Sequence, residues 1–464
     1  MSSKYISYLD ETPESRSVVA SEYFRTFRRK AKKKKVSEFA SGIPKDFEMT
    51  LEFSRAFELM EHSRRNMYIT GKAGTGKSTL LQYFKEKSEK KIVVLAPTGI
   101  AAINIGGATI HSFFRFPHRL ITENEIRKRK GKGKLFTSLD TLVIDEVSMV
   151  RADIMDGIDL ALRKNRERPD EPFGGVQVIL FGDLYQLPPV VENDLEEFFS
   201  EHYESPFFFS ANVFRETNLA KFELQRIFRQ SDPEFIRLLN NVRNNEVQQN
   251  HLETLNQRYN AALASDDHNP AITLTSTNAK AFEINISRLN SLKSKEYVFD
   301  ALIDGEFDEK AYPTEKRLQL REGAQVMMVK NDSQKRWFNG SLGVITKLGS
   351  DFIEVMIGDS ACTVEPSIWE KVEYEFDKDA GMIEPVVAGS FSQYPIKLAW
   401  AITIHKSQGK TFDNVIIDLG FGAFTHGQAY VALSRCKTFE GIQLKTRIRQ
   451  RDIILDERVR EFLD

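Results

Sequence analysis

Short apolar runs alternate with helical patterns along the first half of the chain. Each run is followed by Gly, Pro or Asp, and the clearest runs lie at 67–69, 92–95, 141–144 and 176–181. Apolar runs of this length, bounded by turn residues, are typical of strands that are buried on both faces. Their alternation with helices predicts a parallel, doubly wound α/β sheet, which binds its ligands at the carboxyl ends of the strands.

A second α/β unit is predicted to begin near residue 219. Further strands are indicated at 272–274 and 415–417. Between them, from about 315 to 375, the strand-like runs 324–329, 342–345 and 352–357 alternate with turns such as Asn339-Gly340. Asn-Gly turns between such runs are typical of hairpins. We therefore predict a small antiparallel barrel inserted into the second unit.

The composition restricts the classes of protein that fit this pattern. The 464 residues include only two cysteines, Cys362 and Cys436, too few for a disulfide framework or a four-ligand zinc site. Such low cysteine usage indicates a reducing, intracellular compartment. No apolar run approaches the roughly 18 residues of a membrane-spanning helix, and the polar N-terminus shows no secretory signal, so no membrane partner is expected.

The net charge of −1 argues at first against a nucleic-acid partner, but it is a sum over opposed patches. Residues 25–35 contain eight Lys/Arg and residues 127–134 contain six, with no acid in either run, whereas residues 192–204 contain six carboxylates and no Lys/Arg. Either basic run fits a solvated surface segment or a segment that attracts phosphates. The charge pattern leaves both interpretations open.

The strongest chemical signal follows the first predicted strand. The segment Gly71-Lys-Ala-Gly-Thr-Gly-Lys-Ser78 matches a phosphate-binding loop between a strand and a helix. In such a loop the backbone N–H groups surround the phosphates, the lysine neutralises the β and γ oxygens, and the serine binds Mg²⁺. The predicted nucleotide contacts are Gly71, Ala73, Gly74, Thr75, Gly76, Lys77, Ser78 and Thr79.

Two further strand ends carry groups suited to ATP hydrolysis. Asp145-Glu146 ends the run 141–144, where Asp145 can bind the metal together with Ser78, and Glu146 can orient or deprotonate the attacking water. Gln186, in the segment 182–190 after the strand 176–181, can reach the γ-phosphate or its water. ATP and Mg²⁺ are therefore the expected cofactors.

In order along the chain, these segments resemble the motifs of superfamily-one DNA helicases, in particular the PIF-type and RecD-like group (superfamily one B). We expect a bacterial-type member of that group. The matching segments are 71–78 for motif I, 96–102 for Ia, 145–149 for II, 182–190 for III, 222–230 for IV, 401–411 for V and 430–435 for VI. Residues 153–175 resemble the signature segment of the PIF-type family.

The resemblance implies two RecA-like domains with ATP in the cleft between them and a Src-homology-three-like barrel inserted in the second. It predicts a basic leader at 1–45, a first domain at 46–215 with a wedge insertion near 112–136, a second domain at 216–300 and 390–450, the barrel at 301–389, and a C-terminal helix at 451–464. Arg229 and Arg435 look like arginine fingers from the second domain, and Gly409 would lie beside the γ-phosphate.

DNA contacts are also implied by the resemblance. The positions that match DNA-binding residues of the family are Thr98, Gly99, His111, Phe113, Phe114, Asn278, His405 and Thr411. Hydroxyls and helix N-termini can bind phosphates, and aromatic rings can stack on bases. The alternative for Phe113 and Phe114 is a place in the core, and for the two histidines a buried structural role. Phe53, Ser54 and Arg55 occupy the region where many relatives have an adenine-binding Gln, which leaves base selectivity open.

The resemblance predicts an ATP-dependent helicase that moves 5′ to 3′ on single-stranded DNA and unwinds duplexes in genome maintenance. Expected partners are single-stranded DNA and junctions with duplex DNA, with G-quadruplexes and RNA–DNA hybrids as further candidates, and we expect a monomer. A bacterial protein would lie in the cytoplasm with the nucleoid, and a eukaryotic one in the nucleus or mitochondria. The alternatives are a RecD-like subunit of a recombination nuclease and an ATP-switched clamp on single-stranded DNA.

Overall fold

A computed structural model describes residues 47–117, 119–192, 195–260 and 271–464. The predicted basic leader at 1–45 lies outside the described residues. The helices of the described part are α1 Leu51–His62, α2 Lys77–Lys87, α3 Gly99–Asn104, α4 Ile110–Phe114, α5 Gly133–Ser138, α6 Ala152–Arg166, α7 Glu196–His202, α8 Val213–Glu216, α9 Pro233–Arg243, α10 Gln249–Asn256, α11 Asn278–Ser291, α12 Gln428–Leu433 and α13 Glu457–Leu463.

The strands fall into two parallel and three antiparallel sheets. They are β1 Asn66–Gly71, β2 Ile92–Ala96, β3 Ala108–Thr109, β4 Thr141–Ile144, β5 Gln177–Phe181, β6 Leu219–Leu224, β7 Ile272–Thr275, β8 Glu296–Asp300, β9 Leu302–Gly305, β10 Arg317–Arg321, β11 Gln325–Met328, β12 Leu342–Leu348, β13 Ile353–Ile357, β14 Ser360–Val364, β15 Ser367–Asp377, β16 Met382–Gln393, β17 Ile396–Leu398, β18 Ala401–Thr403, β19 Val415–Asp418 and β20 Ile442–Leu444. No helix of the described segments is long and apolar enough to cross a membrane.

The first parallel sheet has the strand order β3-β2-β4-β5-β1-β6. Its central strands β4 and β5 are buried along their whole length, as their uninterrupted apolar sequences require. The predicted parallel α/β sheet is therefore confirmed. One assignment is wrong: β6 pairs with β1 from Asn66 to Gly71, so residues 219–224 belong to the first sheet and not to the second unit.

The second parallel sheet has the order β18-β7-β19-β20. Between β7 and β18 the chain forms antiparallel sheets with the orders β14-β13-β12-β11-β17, β15-β16-β9 and β10-β8. The antiparallel character of this insertion agrees with the sequence pattern, and its first strand, β8, begins at Glu296. Its likeness to a Src-homology-three barrel stays a prediction. The C-terminal helix α13 begins at Glu457, after a short 3₁₀ turn at Gln450–Asp452.

The long hairpin β15–β16 packs against the first parallel sheet. The Tyr374 hydroxyl donates to the Val94 carbonyl at 3.3 Å and accepts from the Val94 N–H at 3.2 Å. These bonds satisfy backbone groups of β2 beyond the point where the short strand β3 can pair with it. The inserted sheets are thereby fixed over the β2 edge, next to the predicted DNA contacts Thr98 and Gly99.

Candidate nucleotide site between the two parallel sheets

The phosphate loop connects β1 to α2, and its glycines are required by close neighbours. Gly76 caps α2 with φ 82°, and a Cβ at this position would lie 2.8 Å from the Phe53 ring. Gly74 has φ 85°, and a Cβ there would collide with the Arg229 side chain. Because both residues have positive φ and no room for a side chain, the sequence Gly-Thr-Gly is set by backbone geometry.

Lys77 is half-buried at the first position of α2 and bonds to its own loop. Its Nζ donates to the Gly71 carbonyl at 2.5 Å and to the Lys72 carbonyl at 3.1 Å. Burial lowers the pKa of Lys77, while the nearby carboxylates of Asp183 and Glu146 act in the opposite direction. An ammonium group that is bonded only to carbonyls can exchange them for phosphate oxygens, which offer a stronger charge-assisted bond.

Asp145 and Glu146 follow β4 directly and lie within electrostatic reach of Lys77. Burial raises the pKa of both carboxyl groups, the Glu146 charge adds to the rise at Asp145, and the Lys77 charge opposes it. Glu146 has φ 50°, in the left-handed region that few non-glycine residues adopt and that recurs at active sites. The buried Asp145 and the half-buried Glu146, both of raised pKa, form a site that a cation or an accepted proton would stabilise.

The third strand end holds Gln186 in a fixed position. Its Nε2 donates to Asp183 Oδ2 at 3.2 Å, and Asp183 Oδ1 lies 3.4 Å from the Arg243 guanidinium. Arg243 in turn lies over the Tyr185 ring, 3.8 Å from its centroid. The side chains of Asp183 and Arg243 are almost completely buried. This network orients the Gln186 amide without using its carbonyl oxygen, which stays available to accept a bond from water.

Arg435 reaches the cavity from the second parallel sheet. Its guanidinium is fully buried and donates to the carbonyls of Val431, Ser407 and Lys410 and to the Ser434 hydroxyl, at 2.8–3.4 Å. Burial lowers the pKa of Arg435 to about 9, and the neighbouring positive charge of Arg229 adds to that effect, whereas Glu146 opposes it. The two arginines and Glu146 therefore lie within electrostatic reach of one another.

The resemblance implied that Arg229 comes from the second domain, but this expectation is wrong for the structure. Arg229 follows β6 of the first sheet, and the preceding Phe228 N–H donates to the Gly74 carbonyl at 2.8 Å, which binds this segment to the phosphate loop. Arg229 Nη1 donates to the Ser434 carbonyl at 3.2 Å. Of the two predicted arginine fingers, only Arg435 comes from the opposite side of the cleft. Gly409, predicted to lie beside the γ-phosphate, is exposed with φ 74° in the loop that Arg435 holds.

Two residues that sequence reasoning did not assign connect the second sheet to this site. The Tyr430 hydroxyl on α12 accepts the Ala73 N–H of the phosphate loop at 3.0 Å. His426 is buried, with Nε2 2.7 Å from the Leu184 carbonyl and Nδ1 accepting the Asp456 N–H at 2.9 Å. Tyr430 lies inside the segment that resembles motif VI, whereas nothing in the local sequence marks His426.

Most of the predicted DNA contacts follow strand ends. Thr98 caps α3 after β2, and its hydroxyl accepts the Ala101 N–H at 3.2 Å. Asn278 is exposed at the start of α11 after β7, and the half-buried His405 and Thr411 follow β18. A Cβ at Gly99 would lie 2.5 Å from Ala311 of the insertion, so the inserted region covers the N-terminal end of α3 in this structure.

The expectation that Phe113 and Phe114 stack on DNA bases is wrong for this structure. Both rings are buried, their centroids are 4.9 Å apart, and they pack against Phe116, Phe136 and, for Phe113, Tyr374. His111, on the same short helix α4, is half-buried. The aromatic pair therefore belongs to the core that supports the hairpin β15–β16.

Replacing Phe113 by Ala is expected to destabilise the fold rather than to weaken DNA contacts alone. Removing a buried phenyl ring leaves a cavity, and the free energy of unfolding should fall by about 3–5 kcal/mol. Urea unfolding followed by circular dichroism measures the change. Asn278→Ala, at an exposed helix start, serves as the control and should leave the unfolding midpoint within experimental error. An unchanged midpoint for Phe113→Ala would contradict the core assignment.

The basic run 127–134 is partly engaged within the protein. Lys132 Nζ lies 2.8 Å from the Glu375 carboxylate of the hairpin, Lys128 Nζ lies 2.7 Å from Glu167, and Arg129 donates to the Phe113 carbonyl at 2.6 Å. These contacts favour a structural role for part of the run, and they tie it to the inserted hairpin.

Comparison with known proteins agrees with this site. A family model described as PIF1-like helicase matches residues 53–253, and one described as the 2B domain of DNA helicase Pif1 matches residues 309–348. The ATP-dependent DNA helicase Pif1 of Bdellovibrio bacteriovorus is 32% identical over 427 residues, which cover 90% of this chain and 92% of the relative. ATP-dependent DNA helicase PIF1 of Xenopus laevis is 34% identical over 413 residues, or 87% of this chain but only 62% of that protein.

Solved structures of a Bacteroides Pif1 cover 90% of this chain. The unliganded protein is 42% identical and superposes with a TM-score of 0.83 over 97% of its length. The same helicase bound to single-stranded DNA is 41% identical and superposes with a TM-score of 0.65 over 96% of its length. Because the identities are equal within one per cent, the lower score reflects a different conformation of the DNA-bound protein. With relatives matched over nine-tenths of its length, the chain belongs to the family of PIF1-like helicases.

Proposed function

We propose that the protein is an ATP-dependent DNA helicase that moves 5′ to 3′ on single-stranded DNA. The observation that carries the proposal is the junction between the two parallel sheets. There, the Tyr430 hydroxyl accepts the Ala73 N–H of the phosphate loop, and Arg435 lies within electrostatic reach of Glu146. The polar residues Thr98, Asn278 and His405 follow strand ends of the two sheets. A change at the nucleotide can thus be transmitted directly to groups that are suited to bind DNA phosphates.

Mg²⁺ fits the residues that are present. Across the part of the chain that the structure describes, no group of three or more His, Cys, Asp or Glu side chains could hold a metal ion. A magnesium ion that is bound mainly through nucleotide phosphates and water needs only one or two protein oxygens. Asp145 and Ser78 can supply these, and the metal would neutralise charge on the β and γ phosphates.

In our proposed mechanism, the chain's own groups act in three places. Lys77 and the loop N–H groups bind the phosphates, Gln186 and Glu146 orient the water and Glu146 accepts its proton, and Arg435 stabilises the charge on the γ-phosphoryl group. Because Arg435 is also bonded to the carbonyls of Ser407 and Lys410, closing and opening of the cleft would move the segment that carries His405 and Thr411. Alternating affinity for DNA would follow from this movement.

DNA binding requires the insertion to leave the position seen here. Ala311 covers Gly99, and the higher similarity to the unliganded Bacteroides protein supports the view that this arrangement is the DNA-free one. We propose single-stranded DNA and forked duplexes as partners, in line with the structure of Bacteroides Pif1 bound to single-stranded DNA and with a Pif1 structure on DNA unwinding at forked duplexes. The monomeric state, the domain boundaries, the cellular location and the use of G-quadruplexes or RNA–DNA hybrids remain predictions.

Unwinding of tailed duplexes tests the proposal. The protein should separate a duplex that carries a 5′ single-stranded tail and leave one with a 3′ tail intact, as measured by the release of a fluorescent strand. Lys77→Ala should abolish the release because the bond to the phosphates is lost. Unwinding from the 3′ tail alone would contradict the direction, and unwinding by Lys77→Ala would contradict the nucleotide site. Tight, ATP-dependent DNA binding without unwinding would instead favour the clamp.

A further inference from the structure

Two phenylalanines are exposed together on a loop that the helicase motifs leave unused. Phe421 is fully exposed and Phe424 is 64% exposed, and both lie between β19 and α12. Each exposed phenyl ring costs free energy in water, and two in one short loop suggest a surface that binds something. They belong to neither of the parallel-sheet cores.

The loop holds these rings in a defined position. The Asp452 carboxylate accepts the Ala423 N–H at 3.2 Å, and the Phe421 carbonyl accepts bonds from the guanidinium groups of Arg449 and Arg451 at 3.3 and 3.5 Å. A Cβ at Gly422 would lie 2.5 Å from the same Asp452 carboxylate, so the backbone is packed directly on its anchor. A ring presented by an anchored backbone loses little conformational entropy on binding.

The segment that anchors the two rings is rich in basic residues. Residues 441–451 contain no acid, and the exposed side chains of Lys445, Arg447, Arg449 and Arg451 occupy alternate positions. Ile448, between them, is buried, which is consistent with one side of this segment facing the protein and the other facing solvent. Two buried carboxylates contact this segment: Asp418 pairs with Lys445 as well as with Lys280, and Asp452 pairs with Arg449. Arg447 lies over the Tyr259 ring, 4.5 Å from its centroid. We call Phe421, Phe424 and these four cations the aromatic–basic edge.

The aromatic–basic edge lies beside the predicted DNA contacts of the second sheet. Asp418, the last residue of β19, forms ion pairs with Lys280 at 2.9 Å and Lys445 at 3.3 Å. Lys280 is in the first turn of α11, two residues after Asn278. Because β7, β19 and β20 are parallel neighbours, the segments that follow their carboxyl ends lie along one edge of the sheet. The edge thus continues the row of strand ends that begins at His405 and Asn278.

We propose that the aromatic–basic edge is an additional binding surface for single-stranded nucleic acid, which extends the DNA path across the second sheet. Aromatic rings that stack on bases, next to cations that bind phosphates, are the combination that single strands require, and it does not depend on sequence. A duplex would offer phosphates but no free base faces to the rings. The inference rests on the proposed function in placing the strand at Asn278, but the surface itself is tested by binding alone.

Fluorescence anisotropy with labelled oligo-dT of increasing length, from about 4 to about 16 nucleotides, tests the inference with the full chain. Phe421→Ala should bind the shortest oligonucleotides as the unchanged protein does and the long ones about tenfold more weakly, because the loss of one stacked base has about that effect. Leu59→Ala is the matched control, since Leu59 is an exposed apolar residue on α1 of the first domain, and it should show no loss at any length.

A second variant separates charge from stacking. The double variant Arg447→Gln/Arg451→Gln should make the negative slope of log Kobs against log salt concentration shallower by about 1.4, which is the value for two phosphate contacts on a single strand. Equal affinity of Phe421→Ala and the unchanged protein at every length would overturn the inference, as would equal weakening of duplex binding. ATP hydrolysis without DNA should be unchanged in all variants. Failure of unwinding with normal binding would reject the proposed function and leave this surface intact.

Discussion

Replacing Arg435 by Lys is expected to lower the rate of DNA-stimulated ATP hydrolysis by about 10³-fold or more. A positioned arginine that stabilises charge on the transferred phosphoryl group contributes about 10³–10⁵ in rate. Lysine keeps the positive charge, but it cannot make the parallel bonds of a planar guanidinium. Arg435 is the predicted finger that crosses the cleft, so its loss should disconnect the second sheet from the nucleotide as well. The measurement is the steady-state release of phosphate with saturating oligo-dT.

Arg258→Lys provides the matched control for this change. Arg258 is also bonded to backbone carbonyls of the second half of the chain, those of Ile442 and Glu440, but it does not contact the nucleotide cavity. The Arg258→Lys variant should hydrolyse ATP at nearly the normal rate. Arg435→Lys should still bind a fluorescent ADP analogue, since the phosphate loop is untouched. If hydrolysis fell less than tenfold while circular dichroism showed an intact fold, Arg435 would not be the residue that stabilises charge on the transferred phosphoryl group.

The nucleotide site was predictable from sequence because its parts are local. The phosphate loop is one short segment, and its glycines, such as Gly74 and Gly76, are required in part by the positive φ of its own backbone. Asp145 and Gln186 follow apolar strands, and parallel strands bring their carboxyl ends together whatever the loops between them do. The pattern therefore located these groups without any knowledge of tertiary contacts.

The errors all involve contacts between distant parts of the chain. Residues 219–224 alternate in burial like an edge strand, and only their pairing with β1 shows that Arg229 belongs to the first sheet. Phe113 and Phe114 suit a stacking surface as well as a core, and the choice depends on Tyr374, more than 250 residues later. The bridge from His426 to Leu184 spans 242 positions. Local patterns carry no signal of such pairings.

The charged binding surfaces could not be predicted from the sequence for the same reason. The net charge of −1 gave no indication of the row Lys445, Arg447, Arg449 and Arg451, because acids elsewhere cancel it in the sum. Lys132 of the basic run 127–134 is paired with Glu375 of the inserted hairpin, and Lys445 and Arg449 of the aromatic–basic edge are paired with Asp418 and Asp452. Among the described residues, Arg447 and Arg451 form no such ion pair. What a basic segment can bind depends on which acids face it, and that is a property of the fold.

Replacing Glu146 by Gln is expected to lower ATP hydrolysis by about 10²–10⁴-fold while Mg²⁺-dependent nucleotide binding is kept. The amide has the same shape and can still orient a water molecule, but it cannot accept the proton, and a general base contributes about this much to the rate. The raised pKa of the Glu146 carboxyl suits this role, because a stronger base removes the proton more readily. Single-turnover hydrolysis with excess protein measures the chemical step.

Two further variants test whether the loss of ATP hydrolysis in Glu146→Gln is due to the loss of a general base. Glu167→Gln is the matched control, because Glu167 also has a positive φ, 60°, but is exposed and paired with Lys128, so hydrolysis should be normal. Asp145→Asn should lose the effect of Mg²⁺ on nucleotide affinity, which Glu146→Gln should retain, since of these two carboxylates only Asp145 is proposed as a metal ligand. If Glu146→Gln hydrolysed ATP within tenfold of the normal rate, the proton would have to go to another acceptor, and the water would then be activated mainly by Gln186 and the phosphate oxygens.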